Sequence, residues 1–194
     1  LNKYIYKPLT VLPGRNIAVN GPLVSYQYFD MEYIDKLFNY LELNEQVAQL
    51  YGTYFDLMNT AAILVNEYTK IEEITAMFML YNNNVHYLIV TDDLEKAAAI
   101  VSVAYDDYYK QTNIDIRISW PVIPHGLLSH DIVKLYTFAV CRVSLIHMSD
   151  TAAWMGAMLN KVDDADILYS MDDNLIYNLM IPEKDPRFKN LRLF

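Results

Sequence analysis

The stretch from Ser129 to Met148, SHDIVKLYTFAVCRVSLIHM, constrains the chain most, because no other segment is as apolar while opening on a helix start signal. The Ser129 hydroxyl is placed to accept an amide hydrogen that would otherwise be orphaned. Asp131 falls in the first turn, where the positive end of the helix dipole favours a carboxylate. At 100° per residue, Lys134, Thr137, Arg142, Ser144 and His147 scatter around the wheel and leave no broad hydrophilic face. A helix apolar on most sides belongs at the centre of a fold. Lys134 and Arg142 interrupt the run, whereas a membrane span wants about 20 unbroken apolar residues. The expectation is a central helix over 130–148 with other elements packed around it, and no transmembrane segment.

Residues 30–181 read as one globular domain around that helix. Asp30 caps a short helix to about Leu41. The apolar rhythm from Val47 through Ile71 then predicts one very long helix, or two in line, over 44–80, with any break near Gly52 or Thr69 and a stop at Asn82-Asn83-Asn84. Residues 85–91 are β-branched and aromatic. Thr91 or Asp92 caps a helix carrying Leu94, Ala97, Val101, Ala104 and Tyr108, and Ile114, Ile116, Ile118 and Trp120 alternate with polar residues as a half-buried strand does. The two strands can pair parallel through a right-handed crossover or antiparallel with the helix set aside. Beyond the central run, Ser149 or Asp150 starts a helix in which Gly156 lets a partner approach closely, and a final helix carries Ile167, Leu168, Met171 and Leu175. The predicted class is mainly α (α+β): a helical bundle around 130–148, a small sheet from 85–91 and 114–120, and extended arms at both ends.

The arms differ in material from the domain. Pro8, Pro13 and Pro22 exclude helix from residues 1–29, and Pro182 and Pro186 break residues 182–194. Both arms are too apolar to be free tails, which makes Tyr4, Tyr6, Leu9, Leu12, Leu23, Tyr26, Tyr28, Phe188, Leu191 and Phe194 candidate interface residues. The 17 tyrosines point the same way, since a rigid ring with a polar tip suits half-buried surfaces. The formal charge of −9, with Lys and Arg clustered only in the tail from Lys184 to Arg192, repels nucleic-acid phosphate over most of the surface. Cys141 lies inside the apolar run, where it packs as a small hydrophobe, and a lone cysteine makes no internal disulfide. That is consistent with a location inside a cell or particle. Residues 1–20 lack a signal-peptide pattern, and a start at Leu1 rather than Met points to a trimmed terminus.

Motifs that carry chemistry are sparse. Asp163, Asp164 and Asp166 offer oxygen ligands for Mg²⁺ or Ca²⁺, but without the glycine and terminal glutamate of an EF-hand loop; a helix N-terminus accounts for them better. Asp92-Asp93 reads as a cap and a first-turn acid. His125 and His130 flank a loop-to-helix junction beside Asp131, yet Ser129-His130-Asp131 are adjacent on a helix and diverge, so they form no triad. The five glycines, Gly14, Gly21, Gly52, Gly126 and Gly156, permit neither GxGxxG nor a phosphate loop, and no cofactor is expected. The leading expectation is a non-catalytic structural or interaction subunit of a larger assembly, such as a virion head-to-tail adaptor or an accessory subunit of an organellar complex, docked onto protein partners through its arms. The alternative is a small enzyme or ligand-binding domain with its site at the 121–131 loop, where His125, His130 and Asp131 supply polar groups and Trp120 a wall.

Overall fold

A computed structural model describes residues 59–120, 130–147, 149–160, 162–170 and 186–190. These residues form a doubly wound α/β sheet, which overturns the expected helical bundle. In chain order the elements are β1 (Thr60–Leu64), α1 (Ile71–Tyr81), a 3₁₀ turn (Asn82–Asn84), β2 (His86–Val90), α2 (Leu94–Thr112) and β3 (Arg117–Ser119). There follow α3 (His130–Val140), β4 (Val143–His147), α4 (Thr151–Leu159), β5 (Asp166–Ser170) and β6 (Phe188–Asn190). The strands lie in the order β3-β2-β1-β4-β5-β6, every neighbouring pair parallel.

The winding explains the two cores. The chain steps outward from β1 to β2 to β3, then returns to the other side of β1 and steps outward again through β4 and β5. Crossovers of one hand must then put the first helices on one face and the later ones on the other. Alternation along β1 feeds both. Ala61, Ile63 and Val65 pack with Ile74, Met77 and Phe78 of α1 and Val101, Ala104 and Tyr108 of α2. Ala62 and Leu64 pack with Phe138 of α3 and Trp154, Ala157 and Met158 of α4.

The correction has a physical reason. Strands of a parallel sheet covered on both faces carry apolar residues almost continuously, so their period is lost. The run 130–148 therefore contains a helix and a central strand: α3 ends at Val140, Cys141 and Arg142 turn the chain, and Val143–His147 is buried throughout as β4. Likewise β1 lies inside the expected long helix 44–80, and β5 replaces the start of the expected final helix. The small sheet from 85–91 and 114–120 exists as β2 and β3, paired parallel, as one wing of a larger sheet. Residues 1–58, 121–129 and 191–194 lie outside the described residues, and with them the N-terminal arm, the 30–41 helix, His125 and the interface candidates Tyr4, Tyr6, Leu9, Leu12, Leu23, Tyr26, Tyr28, Leu191 and Phe194. Among the described residues no helix is long and apolar enough to cross a membrane.

Local chemistry sets the element ends. Asp93 caps α2 by accepting the Lys96 amide hydrogen, and Asp150 caps α4 by accepting that of Ala153. Asn82 and Asn113, with φ of 49° and 54°, end α1 and α2. Buried Asn160 ties α3 to α4: its side-chain amide donates to the carbonyls of Phe138 (2.9 Å) and Cys141 (2.8 Å), and its oxygen accepts the Val162 amide hydrogen.

Two consequences are measurable. A Cβ on Gly156 would stand 2.3 Å from the Leu135 carbonyl oxygen, so Gly156→Ala must push α4 away from α3. The helix-propensity gain of about 1 kcal/mol is outweighed, and a net loss of about 1–3 kcal/mol is expected as a lower urea midpoint at unchanged slope. Burial pushes the Cys141 thiol up to about 12, so the native protein should resist iodoacetamide at pH 8 and react only when unfolded.

Candidate functional site

In a parallel sheet all strands discharge their loops at one edge, and where the winding direction reverses neighbouring loops leave in opposite directions and open a crevice. Here that reversal falls between β1 and β4. The chain leaves β1 through Val65 to Lys70, β2 through Thr91 to Asp93, and β4 toward Ser149 and Asp150. A cleft of about 300 Å³ opens between the first two exits, lined by Val65, Asn66, Glu67, Thr91, Asp92, Asp93, Lys96 and Ala97.

The β1 exit folds on itself. The Asn66 amide hydrogen goes to Thr69 Oγ1 (3.0 Å), that of Tyr68 to Asn66 Oδ1 (3.0 Å) and that of Thr69 to the Asn66 carbonyl (3.3 Å). The Lys70 amide hydrogen goes to Glu73 Oε2 (3.2 Å), closing the N-terminus of α1. At the β2 exit Thr91 Oγ1 accepts the Asp93 amide hydrogen, and Asp93 turns to cap α2, which leaves Asp92 outside the helix.

Asp92 belongs to a charged cluster beside the cleft. Lys134 of α3, its side chain only 6% exposed, donates to Asp92 Oδ2 (2.5 Å) and Asp150 Oδ2 (2.9 Å). Burial pulls the Lys134 ammonium toward neutrality, but the bonds from Asp150 and Asp92 outweigh it and leave its pKa raised. The other Asp150 oxygen caps α4, so this one ammonium joins the β2 exit to the β4 exit. At the end of β4 the His147 ring stacks on Tyr68, centroids 5.1 Å apart, and its Nδ1 lies 2.6 Å from Ser149 Oγ and 3.2 Å from the Ser149 amide nitrogen.

The residues singled out by sequence fall differently. His130 is exposed and stands 3.4 Å from Asp92, while Asp131 lies 4.0 Å from Lys134. Trp120 packs half-buried against the α1–α2 core. Asp163 and Asp164 sit in the turn before β5, not at a helix N-terminus. Asp164 pairs with Arg142, while Asp166 accepts from Tyr81 and pairs with Lys189. The carboxylates of Asp164 and Asp166 thus serve separate partners, and among the described residues no three His, Cys, Asp or Glu side chains stand together as metal ligands. Phe188 packs half-buried on the chain's own sheet, paired with Ile167.

Sequence reasoning missed Asn66, Glu67, Lys96, Lys134 and Asp150 and took Asp92 for a cap. One signal was available: a lysine inside a run too apolar to expose it must find carboxylates when buried. The cleft now offers carboxylate acceptors from Glu67 and Asp92 and donors from the side-chain amide of Asn66 and the Lys96 ammonium, a set suited to a ligand rich in hydroxyls. No protein-family model, curated protein or solved structure matches the chain.

Lys134→Met should be costly because it strands Asp150, whose side chain is 12% exposed, beside an apolar replacement. Asp92, 57% exposed, regains water. The expected loss is about 2–3 kcal/mol, below the full cost of breaking a buried pair. Because the folded pKa is raised, the lysine's contribution is complete below its unfolded value of about 10.4 and declines as pH rises through the folded one. The stability gap between wild type and Lys134→Met should therefore be constant from pH 7 to 10 and narrow above it, as read from urea midpoints.

Proposed function

We propose that this chain is a small-molecule-binding α/β domain whose ligand sits in the cleft at the carboxyl edge of β1 and β2. The observation that carries this reading is a coincidence of place: the cleft lies beside the point where the winding reverses, where open parallel sheets bind their ligands. This reading prefers the exits of β1 and β2 to the 121–131 loop, most of which lies outside the described residues, and has His130 beside Asp92 and Lys134 fixing Asp92. A fold alone supports many activities, so the reading rests on the lining residues. Assembly through the arms is the weaker reading. It depends on residues outside the described ones, and the described part of the C-terminal arm supplies β6 to its own sheet.

Thermal denaturation with a panel of sugars, polyols, nucleosides and amino acids tests this. A ligand present at 100 times its Kd should add about 2.7 kcal/mol, and so raise the Tm by about 5–10 °C. Amide NMR shifts should cluster at residues 65–67 and 91–97. If nothing stabilises the protein, or the shifts gather elsewhere, the reading fails.

A further inference from the structure

We infer that the cleft takes a nucleoside without a phosphate chain, its ribose diol held by Asp92 and Glu67 and its 5′ substituent neutral or cationic. The inference rests on the reading above and adds the ligand's chemical class.

Two sets of observations meet here. The first concerns the ribose. In sheets of this strand order the ribose of a bound nucleotide lies at the end of β2 against an acidic side chain, and the cleft occupies that position, bounded by Asp92 and Asp93. Asp93 is committed to capping α2. Asp92 accepts from Lys134 through Oδ2 and has the His130 ring 3.4 Å from Oδ1, yet its side chain remains 57% exposed, and each carboxylate oxygen has a second lone pair to offer a hydroxyl. Glu67 faces the cleft from the β1 exit. A vicinal diol presents two donors in the spacing that a carboxylate accepts.

The second concerns the place where a diphosphate would lie, across the first strand-to-helix turn. Phosphate-binding turns use glycine to bring main-chain N–H groups up to the anion and leave them unpaired. No glycine stands between Val65 and Lys70. The amides of Asn66, Tyr68 and Thr69 are spent within the loop, and that of Lys70 is taken by Glu73. Glu72 and Glu73 add negative charge to the first turn of α1. At this turn a phosphate chain would meet four spent amides and the negative charge of Glu67, Glu72 and Glu73, with Lys96 standing across the cleft on α2; a cation at the ribose 5′ position would meet the favourable charge.

Isothermal titration and amide NMR on the 194-residue chain test this with adenosine, guanosine, cytidine and uridine, their 2′-deoxy forms, the matching 5′-diphosphates, NAD, and S-adenosylmethionine as a nucleoside with a cationic 5′ substituent. At least one unphosphorylated ribonucleoside, or the cationic one, should shift amides at 65–67 and 91–97. Its affinity should fall roughly tenfold or more on losing the 2′-hydroxyl, and likewise on gaining a diphosphate. Glu67→Gln, on an exposed loop, should weaken it without moving the urea midpoint, and Asp92→Asn should weaken it further. Equal or tighter binding of the diphosphates, NAD or the deoxy forms overturns the inference. So does a panel in which only another compound class shifts these amides, an outcome that leaves the cleft reading standing. Silence of these amides to every compound removes both.

Discussion

Residues Ala61 to Leu64 of β1 meet water on neither face and a hydrogen-bonded strand on each edge. With no solvent to satisfy them, the backbone groups of this strand depend on β2 and β4, and its side chains require a cover of helices on both sides. Ala61 and Ile63 are covered by α1 and α2, Ala62 and Leu64 by α3 and α4. A bundle could leave one side of each helix wet; a strand so enclosed cannot. The two-faced winding, and with it the reversal that opens the crevice, follows from how this one strand is buried.

The reversal also creates a seam. β1 and β4 are neighbours in the sheet, yet the chain joins them only by way of β2 and β3, so the loops on either side of the crevice need a separate tie. Lys134 supplies it between Asp92 and Asp150. Ion pairs of this depth are poor stabilisers compared with well-packed apolar groups, because both charges surrender their hydration. What such a pair does well is fix geometry. The ammonium holds Asp92 at the mouth of the cleft, and the same Asp150 that anchors it also caps α4. Stability is the lesser part of its role.

Sequence patterns revealed elements wherever a polar partner face existed. The helix from Leu94 to Thr112 leaves much of one side in water, and its stripe of Ala97, Val101, Ala104 and Tyr108 was legible, as were β2 and β3 beside it and the close approach at Gly156. Legibility failed where burial was complete and no turn residues bracketed the run, as Asn82–Asn84 and Thr91-Asp92 bracket the nearly buried β2. Val143–His147 and Thr60–Leu64 have no wet face, so neither a period of two nor one of 3.6 survives, and flanking apolar helices absorb them into longer runs. The site failed for a related reason. Asp92 gains its meaning from Lys134, 42 positions away, and Asn66 and Glu67 gain theirs only once β1 is known to be a strand.

The charge at the carboxyl edge links these threads. The N-termini of four helices converge there, each a partial positive charge that ordinarily invites an anion. Each already has one from the protein: Glu73 on the Lys70 amide at α1, Asp93 on the Lys96 amide at α2, Asp131 in the first turn of α3, and Asp150 on the Ala153 amide at α4. Dipoles that would collect phosphate are thereby answered from within, while Glu67 and the exposed side of Asp92 remain to act on whatever enters. On the reading proposed above, an edge built this way selects by hydroxyl donors and positive charge. The absence of glycine from the first loop is then in keeping with the rest of the site: a turn that has no phosphate to approach has no need of a residue without a side chain.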